Sequence, residues 1–181
     1  MRHKLQIIFL GCCVIFVTAL QAQDDTKNTD VHQTAYWITL GVGSSHFGPC
    51  LYFSLSYAHK NNIFTVRYLK ADEFRFNVEG HYDQPGLTLK ELGILYGRSY
   101  RKSALVLSLS AGIGYVKGVD RGDHIQYKDY ERVDISTFGV PFEATFRFEL
   151  GIVGIGGSWY GNVNPERINS GGIVQLSIGV F

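Results

Sequence analysis

Methionine occurs once in this chain, at position 1, and cysteine three times, of which Cys12 and Cys13 fall in an apolar run near the start. The remainder keeps only Cys50, which excludes an internal disulfide and a cysteine-built zinc site there. Proline is scarce, at four residues. After the initial apolar run, no stretch repeats its apolar residues at helical spacing. An excess of one charge is missing too: Lys+Arg number 17 against 16 Asp+Glu. That balance lacks the basic surface nucleic-acid binding calls for, so no nucleic-acid partner is expected. What is plentiful is glycine, at 21 residues, with 11 tyrosines and 12 phenylalanines.

The chain begins Met1-Arg2-His3-Lys4, continues almost wholly apolar from Leu5 to Leu20, and then reads Gln21-Ala22-Gln23. A basic start, an apolar centre and a small residue before a polar turn make up the pattern of a secretory signal peptide, with the cut expected after Ala22. The run is shorter than the ~20 residues of a membrane-spanning helix and lacks a basic stop. Phe9-Leu10-Gly11-Cys12 has some likeness to a lipoprotein box, but the run stays apolar past Cys12, where a lipidated chain turns polar. Segment 1–22 is therefore read as the signal peptide. Segment 23–33, with Asp24, Asp25, Lys27 and Asp30, is read as a flexible periplasmic lead. Removal of Arg2 and Lys4 leaves 15 basic against 16 acidic residues, a formal charge of −1.

The remaining segment, 34–181, is organised around alternation. Leu105, Leu107, Leu109, Ala111, Ile113 and Tyr115 alternate with Val106, Ser108, Ser110, Gly112 and Gly114. Successive side chains of a strand point to opposite sides, so this is a strand with one greasy face and one face of mostly small groups. Its length matches a tilted bilayer-crossing strand of roughly 9–11 residues. Seven further segments repeat the pattern, at about 34–43, 50–59, 63–70, 88–98, 136–148, 152–160 and 170–181. The connections after the second, fourth and sixth are short, while 71–87 and 117–133 read as long loops. An even-numbered barrel with short periplasmic turns and longer outer loops has this rhythm. The expected fold is all-β: an eight-stranded antiparallel up-and-down transmembrane β-barrel.

The second face decides which way the greasy one points. A soluble barrel puts apolar groups inside and coats its outside with polar ones. Here the second face is largely Gly, Ser and Thr, which suit a cramped lumen filled by side chains. Arg67, Glu91, Glu143 and Arg147 all share that face. An Arg on the lipid face near mid-membrane costs about 2–4 kcal/mol, so these four are expected inside, as an ion-pair network that fills the lumen rather than a gated channel. Pro141 lies within the sixth segment and cannot donate to a ladder, which calls for a bulge or local irregularity.

With eight alternating segments, a signal peptide and a terminal Phe181, the chain resembles the small outer-membrane β-barrels of the OmpX and OmpA-transmembrane-domain type, over about Tyr36–Phe181. The resemblance implies a bacterial outer-membrane location, contact with outer-membrane lipids and lipopolysaccharide, and delivery by the barrel-assembly machinery. It also implies that Phe181 acts as the assembly signal, although Val174, Leu176, Ile178 and Val180 alternate in the opposite phase to it. Some barrels of this size are lipid A deacylases or acyltransferases. The deacylase type needs a Ser activated by a His, and none of His32, His46, His59, His81 and His124 stands two residues before a Ser as in that motif. No catalytic residue, cofactor or metal is assigned. Asp120, Asp123, Asp129, Glu131 and Asp134 match no calcium-loop spacing. Arg121-Gly122-Asp123, in the expected loop 117–133, is an interaction candidate, with the surface partner unknown. Phe74, Phe76 and Tyr82 raise the expectation of a hairpin above the membrane. The function expected is non-enzymatic, structural or surface-interacting, through loops 71–87 and 117–133. A lipid-modifying enzyme and a soluble periplasmic ligand-binding barrel are the alternatives.

Overall fold

The computed structural model describes residues 34–73, 86–126 and 129–181, leaving aside the side chains of 123–129. The expected signal 1–22, the lead 23–33, and Phe74, Phe76 and Tyr82 lie outside the described residues.

Eight strands follow one another: β1 Thr34–Ser45, β2 Gly48–His59, β3 Asn62–Asp72, β4 Thr88–Lys102, β5 Leu105–Gln126, β6 Asp129–Leu150, β7 Val153–Val163 and β8 Asn169–Val180. Each pairs antiparallel with the next, and β8 closes on β1. The alternation of large apolar and small residues makes this the stable solution: each strand needs one face against neighbours and one face outward, and closure removes every barrel edge. A register line leaving β1 at Ala35 passes Ala58, Ile63, Gly97, Ser110, Glu143, Tyr160 and Gly171. It returns to β1 at Ser45, ten residues further on. Such an offset over eight strands means strands tilted by roughly 35–45° and an interior just wide enough for side chains.

Both described chain ends lie at one end of the barrel, with the turns at 60–61, 103–104 and 151–152. Lys60, Ser103 and Gly151 open these two-residue turns at φ of 56°, 56° and 68°. Positive φ at the first central residue is the II′ arrangement, whose twist suits a hairpin.

The opposite end departs from expectation in two places. Residues 117–133 are not a long loop. The β5–β6 ladder runs through them, from Lys117↔Ser136 to Gln126↔Asp129, leaving only 127–128 as the connection. The greasy alternation stops there because this part of the ribbon stands beyond the apolar belt, while backbone pairing continues without it. The first connection shrinks from 44–49 to His46 and Phe47.

Pro141 produces no bulge. Ala111↔Phe142 and Gly114↔Gly139 keep one register on either side, and the ladder merely skips the pairs between them. The register shifts fall further out, between Arg121, His124 and Gln126. The Pro141 ring is buried and faces the lumen, where a methyl added at Gly93 or Gly114 would meet its Cγ at 3.3 Å. Two glycines on facing strands thus make room for a ring that cannot donate a backbone hydrogen bond.

Candidate functional site

The outward face carries the large apolar side chains. Ile113 is 71 % exposed, Val174 69 % and Phe138 68 %, and the same face holds Tyr36, Leu40, Phe53, Ile94 and Trp159. In water this would be a continuous apolar patch far beyond the few hundred Å² soluble monomers show. Leu107, in β5, points outward with them, while Val106 turns in.

The lumen is filled in three tiers. At the end shared by the chain termini, Ala35, Trp37, Ala58 and Ile63 cluster with Phe181. At the other end Phe47, Tyr52, Leu69, Leu89, Val116, Ile135, Tyr160 and Ile173 form a larger apolar cluster with Cys50 and Ala71. Polar groups are buried along the lumen, Arg147 toward the terminal end and Asn162 and Asn169 toward the other, but a three-membered ion-pair group occupies the tier between the two apolar clusters. There the Arg67 guanidinium, wholly buried, pairs with Glu91 and lies 3.1 Å from Glu143 Oε2. Its Nη1 also donates to the Phe142 carbonyl at 3.3 Å. Tyr52 donates its hydroxyl to Glu143, 3.0 Å from Oε1 and 3.1 Å from Oε2. A cavity of about 20 Å³ lies among Thr39, Ser54, Ser56, Thr65 and Glu143, room for roughly one water.

Of the four charged residues expected to act together, Arg67, Glu91 and Glu143 meet, and Arg147 does not join them. Arg147 lies nearer the terminal end, paired with Glu149 at 2.7 Å. Its guanidinium stacks over Trp37 at 4.0 Å and Phe181 at 4.7 Å. Phe181 therefore packs on the inner face, which accounts for its phase relative to Val174, Leu176, Ile178 and Val180. Trp37 and Tyr52, which alternation places on the small-residue face, lie in the lumen as that phase implies, and Tyr160, which sequence reasoning did not assign to that face, joins them.

Charged groups clamp the mouth opposite the chain termini. Arg167 pairs with Asp120, lies 2.8 Å from His46 Nε2, and sits over the Phe47 ring at 5.5 Å. Arg121 is engaged by Glu73, at 2.8 Å and 2.7 Å from its two oxygens, and covers Tyr130 at 5.9 Å. Arg121 and Gly122 of the interaction tripeptide belong to β5; the Asp123 side chain is outside the described residues. Asp120 is buried against Arg167, whereas Asp134 is exposed and pairs with Arg132 at 3.1 Å, so these two acids do not share one centre. Ser45 Oγ accepts from the Phe47 amide at 3.0 Å and donates to the Gly48 carbonyl at 3.2 Å. His59 Nδ1 lies 3.4 Å from Thr34 Oγ1.

On the outside of the same end, one register line reads Val42, Leu51, Lys70, Lys90, Lys117 and Ser136 across β1 to β6. Lys70 pairs with Asp72 at 2.6 Å. Its hydrogen bond holds the Asp72 carboxyl below its usual range, with Lys90 adding to the effect.

No protein-family model matches the chain, and no curated protein matches it. Solved structures do. The N-terminal β-barrel domain of OprF from Pseudomonas aeruginosa superposes with a TM-score of 0.57 at 12% identity, covering 82% of this chain and 99% of that one. Ail, the attachment invasion locus protein of Yersinia pestis, gives 0.55 at 12% identity, covering 84% and 100%. Neisserial surface protein A gives 0.53 at 11% identity, covering 80% and 94%. At these identities the likeness establishes the fold: an eight-stranded closed barrel of the small outer-membrane type.

Proposed function

We propose that this chain spans the bacterial outer membrane as a closed, non-conducting barrel and serves there as a non-enzymatic structural or surface-interaction protein. The observation that carries the reading is the inversion of the barrel: hydrocarbon side chains outside, Arg67, Glu91 and Glu143 buried inside. A bilayer is the solvent that stabilises that arrangement, because it takes up the apolar face and leaves every ladder hydrogen bond internally satisfied. The short turns at 60–61, 103–104 and 151–152 then face the periplasm. The β5–β6 ribbon and the ends of β3 and β4 at Asp72 and Thr88 face outward, and 71–87 and 117–133 are the surfaces on which a partner is proposed to act.

The apolar tier around Phe47 and Tyr160 closes the outer half of the lumen, and the Arg67 centre closes its middle. The reading is non-enzymatic because His46 is engaged by Arg167 and Ser45 Oγ by backbone, so this adjacent pair is not arranged as base and nucleophile. Phe181 is proposed to serve the assembly machinery from a lumen-facing position.

The test is fractionation of expressing cells, with gels run before and after boiling, followed by conductance in planar bilayers. The chain is expected in the outer-membrane fraction, with a mobility shift on boiling and no steady conductance. Recovery as a soluble periplasmic protein with no shift would contradict the membrane reading. Stable ion-conducting steps would contradict the filled lumen.

A further inference from the structure

One arginine holds together the mouth opposite the chain termini. His46 and Phe47 make up the whole connection between β1 and β2, and Arg167 belongs to the connection between β7 and β8. Asn164 Oδ1 fixes the Arg167 backbone, accepting from the amides of Glu166 at 3.1 Å and Arg167 at 2.7 Å. From there the guanidinium pairs with Asp120 of β5, donates from Nη2 to His46 Nε2 at 2.8 Å, and lies over the Phe47 ring. A guanidinium has donors only, so this bond needs a lone pair on Nε2 and therefore an uncharged imidazole. The His46 ring is exposed and has no other hydrogen-bond partner among the described residues. Phe47 beside it is buried, in the same apolar cluster as Cys50, Leu69 and Tyr160.

From this geometry we infer that His46 is an acid-operated release for the mouth. On protonation the His46–Phe47 connection parts from Arg167, and the apolar tier beneath it opens to solvent. A charged imidazole has no lone pair for the Arg167 N–H, and it stands beside a guanidinium with one carboxylate, Asp120, to balance both cations. Arg167 keeps that carboxylate and the Asn164 clamp, so the exposed His46 is the partner that yields. The other strand ends at this point add no charge: β1 finishes at Ser44-Ser45, β2 starts at Gly48-Pro49 and β8 at Asn169-Ser170. Glu166 is exposed on the Arg167 connection, and Arg121 and Glu73 pair with each other. The closed mouth therefore accepts only the neutral imidazole, and acid shifts the population toward the open one. The Arg67 centre lies below this tier and takes no part, so the lumen stays filled at mid-depth. The inference goes beyond the proposed function by adding a control on the mouth.

Cys50, buried in the tier that opens, is the reporter. The probe is dithiodipyridine, which reacts with thiols in acid as well as at neutrality. It is applied to the full chain carrying Cys12→Ser and Cys13→Ser, refolded in zwitterionic detergent, so that Cys50 is the only thiol. Rates are taken at about pH 7.5 and about pH 5.5, on either side of the range in which imidazoles titrate. Each is divided by the rate of the urea-unfolded chain at the same pH, and a mobility shift on boiling confirms that each variant is folded. With His46 in place the ratio is expected to rise about tenfold on acidification, the factor that loss of one hydrogen bond to a charged group corresponds to. His46→Gln, an uncharged acceptor at both pH values, is expected to stay slow at both. His46→Lys, charged at both, is expected to react fast at both. A ratio that does not change with pH when His46 is present overturns the proposal. Full acid acceleration in His46→Gln overturns it too, because an acid such as Asp120 then opens the mouth by losing its charge. A slow His46→Lys shows that charge at this position does not part the connection, and overturns it as well.

Discussion

Arg67 is the residue on which the interior turns. Its guanidinium is wholly buried between two carboxylates, and Glu91 Oε2 already lacks a partner among the described residues. Removing one member of a buried ion-pair group leaves the others as uncompensated charge, at a cost of about 3–5 kcal/mol. Arg67→Met is therefore expected to lower the urea midpoint of the micelle-refolded barrel by that equivalent, read from tryptophan emission. Arg67→Met combined with Glu91→Gln and Glu143→Gln is expected to recover most of the loss, because no unpaired charge remains. An unchanged midpoint in the single variant would show that the centre is solvated and does not plug the lumen. Gly114 makes a second case. A Cβ there would stand 3.3 Å from the Pro141 ring. Gly114→Leu is expected to cut refolding yield through overpacking of about 1–3 kcal/mol, and Gly114→Leu/Pro141→Gly is expected to restore part of it.

At the scale of the element, the β5–β6 ribbon shows where the sequence can and cannot be read. Every membrane-crossing strand was legible, because lipid on one side and a cramped lumen on the other impose a two-residue period that Leu105–Tyr115 displays in full. Past Lys117 neither constraint acts. Polar residues such as Asp120, Arg132 and Asp134 pair across a ladder as well as they populate a loop, so alternation falls silent while the strands continue. The lumen was legible by phase, which put Arg67, Glu91, Glu143 and Arg147 on one face. Phase carries no height, however, and it is height that separates Arg147, stacked on Trp37 and Phe181, from the Arg67 centre. The lysine row needed register: the turn at 103–104 sets Lys90 opposite Lys117, and the β3–β4 ladder sets Lys70 opposite Lys90. The ribbon carries its own prediction. Amides that hydrogen-bond within Lys117–Asp120 and Val133–Ser136 are expected to exchange far more slowly than free-peptide rates in hydrogen-exchange experiments on the micelle-bound protein. Rates close to those of unstructured peptide would return this segment to a loop.

For the whole molecule, the account reduces to an inside and an outside that are exchanged relative to a soluble barrel. The two tryptophans report on it separately. Trp159 is half exposed on the outer face and packs at a tilt against Phe142, ring centroids 5.2 Å apart, whereas Trp37 is buried in the lumen beneath Arg147. The most direct measurement is tryptophan fluorescence in bilayers of phosphatidylcholine with brominated acyl chains, which quench only indoles they can touch. Trp37→Phe, which keeps Trp159, is expected to lose most of its emission relative to unbrominated bilayers. Trp159→Phe, which keeps Trp37, is expected to lose little. The reverse pattern, or equal quenching of both, would contradict the orientation from which every other conclusion follows.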